Sequence, residues 1–252
     1  MLIFNDELQK IYDWTVANKL SLNTEKTVAM IFSNRRIQTL PPLLIKNQFS
    51  YDVIQRVDNF KMLGIFYDEQ LKFKHHVTHL TNKLSVLAGM FHKLKFILPS
   101  YILKKMYNAQ VTSMLNYNVP IWCCNYSANI NPILTLQKRI IRNITKSEFL
   151  AHSKPLFKKC NVLNIFDINK LYLATKYFKN PAKYAAPLEI NHEHNTRNQH
   201  LLRPARCTTT LMMNSFLSQG PTIYNEIPDE IKQSGSVHLF KKNLKKHFFS
   251  TY

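Results

Sequence analysis

Glycine is scarce. The 252 residues hold 4 glycines against 11 prolines, and neither G-x-G-x-x-G nor G-x-x-x-x-G-K occurs, which argues against a glycine-rich phosphate cradle. The four cysteines (Cys123, Cys124, Cys160, Cys207) show no C-x-x-C spacing, so free thiols in a reducing compartment are expected. No uninterrupted apolar run approaches the roughly 18 residues a membrane helix needs. Residues 1–7 are too short an apolar run and too acidic for a signal peptide. These absences lead to the expectation of an intracellular protein, nuclear or cytoplasmic, with no membrane partner. Acid is the largest deficit: 34 Lys and Arg face 15 Asp and Glu, a formal charge of +19. Between Glu69 and Glu148 not one carboxylate occurs in 78 residues, while 11 Lys and Arg do. A solvated helical face normally mixes signs, because opposite charges at i,i+4 support a helix and like charges oppose it. Omitting every acid over such a length forgoes that support. Nonspecific solubility is one account of the omission, and a surface that lies along a phosphate backbone is a better one.

What is present is enough for a core, since 45% of residues are apolar. Residues 4–18 read as an amphipathic helix, with Phe4, Leu8, Ile11, Tyr12 and Thr15 at helical spacing. Residues 27–33 read as a strand covered on both faces, and 43–46, 51–57 and 60–68 as further strands. Asn47-Gln48 and Asp58-Asn59 supply turns. The period then becomes helical: Val77, Leu80, Leu84, Leu87, Phe91 and Leu94 form one stripe, broken at Pro99, with Ser100 as cap of a second helix running through Tyr101, Lys104, Tyr107, Val111 and Leu115. Pro132 is expected to open a third helix over 133–145, after which 168–178 and 237–249 read as helices, the last capped by Ser236.

Searches for reactive constellations return bland readings. His75, His76 and His79 read as surface residues at a helix start, and His192, His194, His200 and Cys207 match no zinc spacing. The adjacent acids Asp6-Glu7, Asp68-Glu69 and Asp229-Glu230 sit where helix starts or strand ends use them, so no pair of metal-holding carboxylates stands out. Gln137 to Asn143 is different in kind. Lys138, Arg139 and Arg142 share one side of a helix whose isoleucines face inward, a basic stripe over an apolar one, with Tyr101, Tyr107 and Tyr117 available for stacking. Lys241-Lys242 and Lys245-Lys246 repeat the pattern more weakly.

The order of these residues carries a resemblance. Trp14, then Asn18-Lys19-Leu20-Ser21-Leu22-Asn23-Thr24-Glu25-Lys26-Thr27, then Met30-Ile31-Phe32 resembles the W…N-x-L-x-L-N-x-x-K-T…M-x-F block of jockey-like non-LTR retrotransposon reverse transcriptases. Phe60-Lys61-Met62-Leu63-Gly64-Ile65 followed by Asp68 resembles the next block, the β-hairpin called the primer grip. Lys83, Tyr107, Tyr117, Trp122 and Gln137-Lys138-Arg139 with Arg142 resemble the thumb signature. Thr196-Arg197, Gly220-Pro221, Tyr224-Asn225, Ile227-Pro228 and Phe240-Lys241-Lys242 resemble the region beyond it.

The resemblance implies an α+β fold: a small antiparallel sheet with a flanking helix, a mostly helical thumb, and a helical C-terminal tail that is loosely attached. The expected divisions are 1–69 (residual palm and primer grip), 70–178 (thumb), 179–205 (linker) and 206–252 (tail). It implies a template–primer duplex of RNA or DNA as partner, contacted through Lys138, Arg139, Arg142, Lys83, Lys61, Gly64 and Lys26. Lys26 matches the lysine thought to help protonate departing pyrophosphate. The fingers, most of the palm and the metal-binding aspartates would lie upstream of Met1. No cofactor is therefore expected for this chain, Mg²⁺ belonging to a full-length polymerase, and the chain by itself is expected to be inactive. An apolar underside left by the missing palm would favour self-association. Other readings are a stand-alone basic module for nucleic acid or for an acidic protein, and a decayed copy.

Overall fold

The computed structural model describes residues 2–33, 41–46, 50–123, 127–184, 201–202 and 204–252. The chain divides into two compact units, Met1–His76 and Val77–Tyr252, in an α+β architecture.

In the first unit, helix α1 (Leu2–Ala17) covers one face of a three-stranded sheet made of β1 (Val28–Ala29), β2 (Leu43–Lys46) and β3 (Tyr51–Arg56), in the order β1-β3-β2. Leu43, Ile45 and Ile54 form the core, with Leu8 and Tyr12 of α1, Leu22 and Ala29 packed against it. Residues 8, 12 and 15 follow the i, i+4, i+7 spacing of one helix face, while Phe4 and Ile11 are more than half exposed. The helix ends in a Schellman turn: Lys19 N–H donates to the Val16 carbonyl (2.9 Å) and Leu20 N–H to that of Thr15 (2.8 Å). Lys19 takes the left-handed conformation there, φ 57°. The edge of β2 is closed by α1 side chains. Asn5 Oδ1 accepts from Leu44 N–H, Gln9 Oε1 accepts from Lys46 N–H, and Gln9 Nε2 donates to the Lys46 carbonyl. Side-chain amides thus occupy hydrogen-bonding positions that would otherwise invite another strand.

Three expectations for this unit change. The sheet is mixed, since β1 runs parallel to β3 (Val28 beside Gln55) while β2 runs antiparallel to it (Leu43 beside Ile54). Residues 27–33 supply only a two-residue strand, and Phe32 is 54% exposed, so the segment is not covered on both faces. Residues 60–68 are not the one strand their pattern suggested but a hairpin, as the resemblance implied. It is separate from the sheet and consists of β4 (Asn59–Met62) and β5 (Ile65–Asp68). Leu63 (φ 47°) and Gly64 (φ 84°) make its two-residue turn, and two left-handed residues match the twist of the flanking strands. Asp68 ends the hairpin as an acceptor, its carboxylate taking the N–H groups of Gln70 (3.2 Å), Lys72 (2.8 Å) and Phe73 (2.5 Å). His76 also departs from expectation. It is buried, 6.5 Å from the Phe66 ring, rather than on the surface.

The second unit is helical. Along α2 (Lys74–Leu94), Val77, Leu80, Leu84, Ala88 and Phe91 are buried at spacings of three and four. Pro99, not Ser100, is the N-cap of α3 (Ser100–Tyr107) and no side chain caps it. A π-helical turn, Asn108–Thr112, joins α3 to α4 (Ser113–Asn116), with Tyr107, Val111 and Leu115 fully buried. A short α5 (Val119–Trp122) leads to α6 (Ser127–Thr145), in which Pro132 lies inside the helix instead of opening it. The earlier start is anchored by Ile130, which is fully buried. The stretch after α6 contains an unforeseen helix, α7 (Ser153–Cys160), ended by Asn161 in the left-handed conformation. Helix α8 (Ile165–Lys179) begins three residues earlier than its hydrophobic pattern shows, because Asn164 Oδ1 accepts from the N–H groups of Phe166 and Asp167.

The C-terminal helices form a layer on α8, three of them (the first, third and fifth) touching it directly and the other two packing on those. They are α9 (Pro181–Tyr184), α10 (Thr210–Met213), α11 (Phe216–Asn225), α12 (Asp229–Lys232) and α13 (Val237–Ser250), and Ser236 Oγ caps the last by accepting from Leu239 N–H. Ala174, Ile227, Phe240 and Leu244 share one core cluster, and the rings of Phe178 and Phe240 stack at 4.2 Å. The C-terminal region is therefore an integral layer of this unit and not a loose tail. Gly220 makes the layer fit: a Cβ there would lie 2.0 Å from the Tyr177 ring. Most of the expected linker, including His192, His194 and His200, lies outside the described residues, as does Thr196-Arg197.

Candidate nucleic-acid interface

Helix α6 carries the basic cluster, and the structure divides its residues by role. Gln137 is fully buried. Its Nε2 donates to the Tyr107 hydroxyl (2.9 Å) and its Oε1 accepts from Ile165 N–H (2.8 Å), so one side chain ties α6 to α3 and to the start of α8. Burial raises the pKa of the Tyr107 hydroxyl, and the Gln137 bond opposes that shift. Tyr107 is thus a core residue and is withdrawn from stacking, whereas Tyr101 and Tyr117 are 63% and 49% exposed. Arg142 is partly structural as well, its Nε donating to the Ala151 carbonyl (2.9 Å) across the turn after α6. That turn is a second Schellman motif, with Lys146 left-handed at φ 55° and Ser147 N–H donating to the Arg142 carbonyl.

Arg139 is exposed and Lys138 half-buried, and neither makes an ion pair among the described residues. Lys138 and Arg142 fall at i+7 and i+11 from Asn131, on the stripe that also holds Thr135. Asn131 and Thr135 line an open groove whose other wall is Thr81, Asn82 and Ser85 of α2. A buried bond of 3.5 Å from Asn143 Nδ2 to the Ala88 carbonyl fastens the same two helices together. Lys83 is exposed on α2, on the side turned away from Ser85 by helical geometry.

Sequence reasoning missed the turn between α2 and α3. Phe96 and Ile97 are 75% and 76% exposed, and Lys95 Nζ lies 4.9 Å from the Phe96 ring. Lys105 Nζ lies 5.9 Å from the Tyr101 ring. Cations over exposed aromatic rings combine charge with a stacking surface. The run Lys93-Leu94-Lys95-Phe96 just before Pro99 was the signal in the sequence.

In the first unit two of the sequence-named residues lie on turns and one on a strand. Lys26 is exposed, its N–H held by Asn23 Oδ1 (3.0 Å). Lys61 on β4 is exposed with Nζ 5.3 Å from the Phe66 ring, and Gly64 forms the hairpin turn. Much of the asparagine-leucine-lysine block is architectural. Asn18 Nδ2 donates to the Trp14 carbonyl, Leu22 packs on the core, and Asn23 organises the turn before β1. Among the described residues, no three His, Cys, Asp or Glu side chains are placed to hold a metal ion.

In sequence the chain is similar to RNA-directed DNA polymerases of mobile elements. The chain is 23% identical over 169 residues to the probable RNA-directed DNA polymerase from transposon X-element of Drosophila melanogaster, covering 66% of this chain and 18% of that one. It is 24% identical over 162 residues to the RNA-directed DNA polymerase from mobile element jockey of Drosophila funebris, covering 60% and 17%. Against the probable RNA-directed DNA polymerase from transposon BS of Drosophila melanogaster the figures are 22% over 191 residues, 74% and 20%. The chain thus spans about a fifth of the length of the curated relatives it matches. No protein-family profile and no solved structure matches it.

Proposed function

We propose that the helical unit is a thumb-like grip that holds a template–primer duplex by its sugar–phosphate backbone. The carrying observation is the acid-free stretch between Glu69 and Glu148, which folds into α2 to α6 with Lys83, Lys93, Lys105, Arg139 and Lys146 exposed and without ion pairs among the described residues. Lys138 and Arg139 are the central contacts on this reading. Arg142 reaches phosphate with its terminal nitrogens while its Nε holds the turn. Lys83 adds a contact from α2, and the exposed rings of Phe96 and Tyr101 meet unpaired bases at a strand end. In the first unit, Lys61 and Lys26 add weaker backbone contacts, and Gly64 lets the hairpin backbone approach the strand. Binding is of low sequence preference, because phosphate contacts position a protein without reading bases. The relatives' printed activity, RNA-directed DNA polymerisation, supports this substrate class.

The test is the salt dependence of duplex binding. Replacing Lys83, Lys138 and Arg139 together by Ala should lower affinity at least tenfold at low salt. It should also flatten the log affinity versus log salt slope by about 2 to 3, from about 0.9 per phosphate contact. An unchanged slope and affinity in a folded triple variant would remove the proposal.

A further inference from the structure

A second cationic feature lies apart from α6. A cavity of about 520 Å³ opens between the π-helical turn with α4 and α5 on one side and α8 and α13 on the other. Four lysines line it: Lys176 and Lys179 from α8, Lys241 and Lys245 from α13. Among the described residues, no carboxylate does. The acids of this unit with resolved partners are used elsewhere, Asp167 by Asn164 and Tyr252, Asp229 by Lys232. Ammonium groups gathered on one cavity repel each other, and the repulsion strengthens as water is excluded. Lys245 is partly enclosed, and its pKa is lowered by burial and by the charge of Lys104, which stands outside the lining. Its Nζ is held by the Asn161 carbonyl at 2.8 Å.

The remaining lining has two characters. Val119, Leu163, Ile168 and Leu171 make an apolar floor, beside which Tyr172 stands partly exposed with Lys176 Nζ 5.5 Å from its ring. Asn108, Thr112 and Asn116 offer amide and hydroxyl groups from the opposite wall. Asn108 and Thr112 bound the π-helical turn, and such turns, uncommon in helices, recur at functional sites. The volume falls within the roughly 300–1,000 Å³ of small-molecule sites. It is far too small for a duplex.

We infer that this cavity binds a free small organic polyphosphate, its phosphates on Lys176, Lys179, Lys241 and Lys245 and its ring or apolar body on the floor beside Tyr172. The inference is independent of the α6 grip, which uses other residues. ATP and inorganic tripolyphosphate serve as probes in calorimetric titrations of the full chain in Mg²⁺-free, low-chloride buffer. Both should bind, ATP more tightly. Lys179→Glu with Lys241→Glu should weaken both at least tenfold while duplex affinity stays within threefold. Tyr172→Ala should weaken ATP severalfold and leave tripolyphosphate unchanged. The inference fails if neither anion binds below millimolar concentration. It fails equally if charge reversal weakens duplex and small anions in parallel, since the lysines would then belong to a nucleic-acid track. Unfolding of the double reversal is checked by its melting curve, and Lys179→Gln with Lys241→Gln, which removes charge without reversing it, must then give the same selective loss or the inference is withdrawn.

Discussion

Residues 1–76 carry 10 basic and 8 acidic side chains, a formal +2, whereas residues 77–252 carry 24 and 7, a formal +17. The acids that remain have local work in both regions. Glu7 meets Lys10, Asp52 accepts from the Thr24 hydroxyl and Asp68 from three backbone N–H groups in the first. Asp167 and Asp229 play such parts in the second. The difference lies mostly in cations without an ion pair among the described residues, although Arg142, Lys232 and Lys245 bond to the fold. Their mutual repulsion opposes compactness, and the second region offsets it by burial: Trp122, Tyr107, Tyr177, Phe91 and Phe240 are fully enclosed. The first region, nearly neutral, encloses fewer side chains and leaves Trp14, Phe32, Tyr51 and Val53 about half exposed or more. Excess charge sits where the core is deep enough to tolerate it.

One tryptophan in each region lets this contrast be broken or sharpened, since Trp122 is fully buried and Trp14 is 59% exposed. In a Trp14→Phe background, fluorescence reports the second region alone. The largest effect is expected from Gln137→Ala, which orphans the Tyr107 hydroxyl and the Ile165 N–H. At about 1–3 kcal/mol for each buried group left unsatisfied, the loss is about 4 kcal/mol. Denaturant unfolding followed by Trp122 should show it; a loss under 1 kcal/mol would mean that this core does not depend on the bridge.

Next is Gly220→Ala, which drives a methyl into the Tyr177 ring and should cost about 1–3 kcal/mol, the range of overpacked cores. If the melting temperature is unmoved, the C-terminal helices are not the integral layer described above.

Alkali should act on the second region first. Burial pushes the Tyr177 hydroxyl up to about 12, and Tyr107 and Tyr252 are shifted in the same direction, by burial and, for Tyr252, also by Asp167. The folded state then keeps phenolic protons that the unfolded chain releases at its ordinary value of about 10. Stability present below pH 10 is lost as pH rises toward 12. Trp122 emission should therefore shift in that window, and a flat pH response would contradict it.

The smallest effect is a gain. Lys146 occupies a left-handed position, and Lys146→Gly should relieve about 0.5–1 kcal/mol of backbone strain net of the added freedom of the unfolded chain. A lower melting temperature would show that the Lys146 side chain contributes more than its backbone costs.

The helices with strong periodicity, α1, α2 and α13, were legible because an apolar face repeating every three or four residues is a local property. The Ser236 cap was legible for the same reason. The start of α6 was not, because proline rules place Pro132 at a first turn and only the burial of Ile130 overrides them. Helix α7 was hidden by its lysines and by Pro155. The basic residues of the candidate interface could be named from spacing, but their division could not. Nothing in Gln137-Lys138-Arg139-Ile140-Ile141-Arg142 says that Gln137 is a buried tie, or that Arg142 spends one nitrogen on the Ala151 carbonyl.

The sequence alone determined where charge accumulates, which helices are amphipathic and which mobile-element polymerases this chain resembles, since charge, period and motif order are written along the chain. Only the tertiary structure decided that β1 joins β3 in parallel, that the C-terminal helices close over α8, and that lysines of two helices far apart in the chain, Lys176 and Lys179 on one and Lys241 and Lys245 on the other, line one cavity. Those outcomes depend on which surfaces meet, and meeting is set by the shape of the packed interior and not by neighbours in the chain.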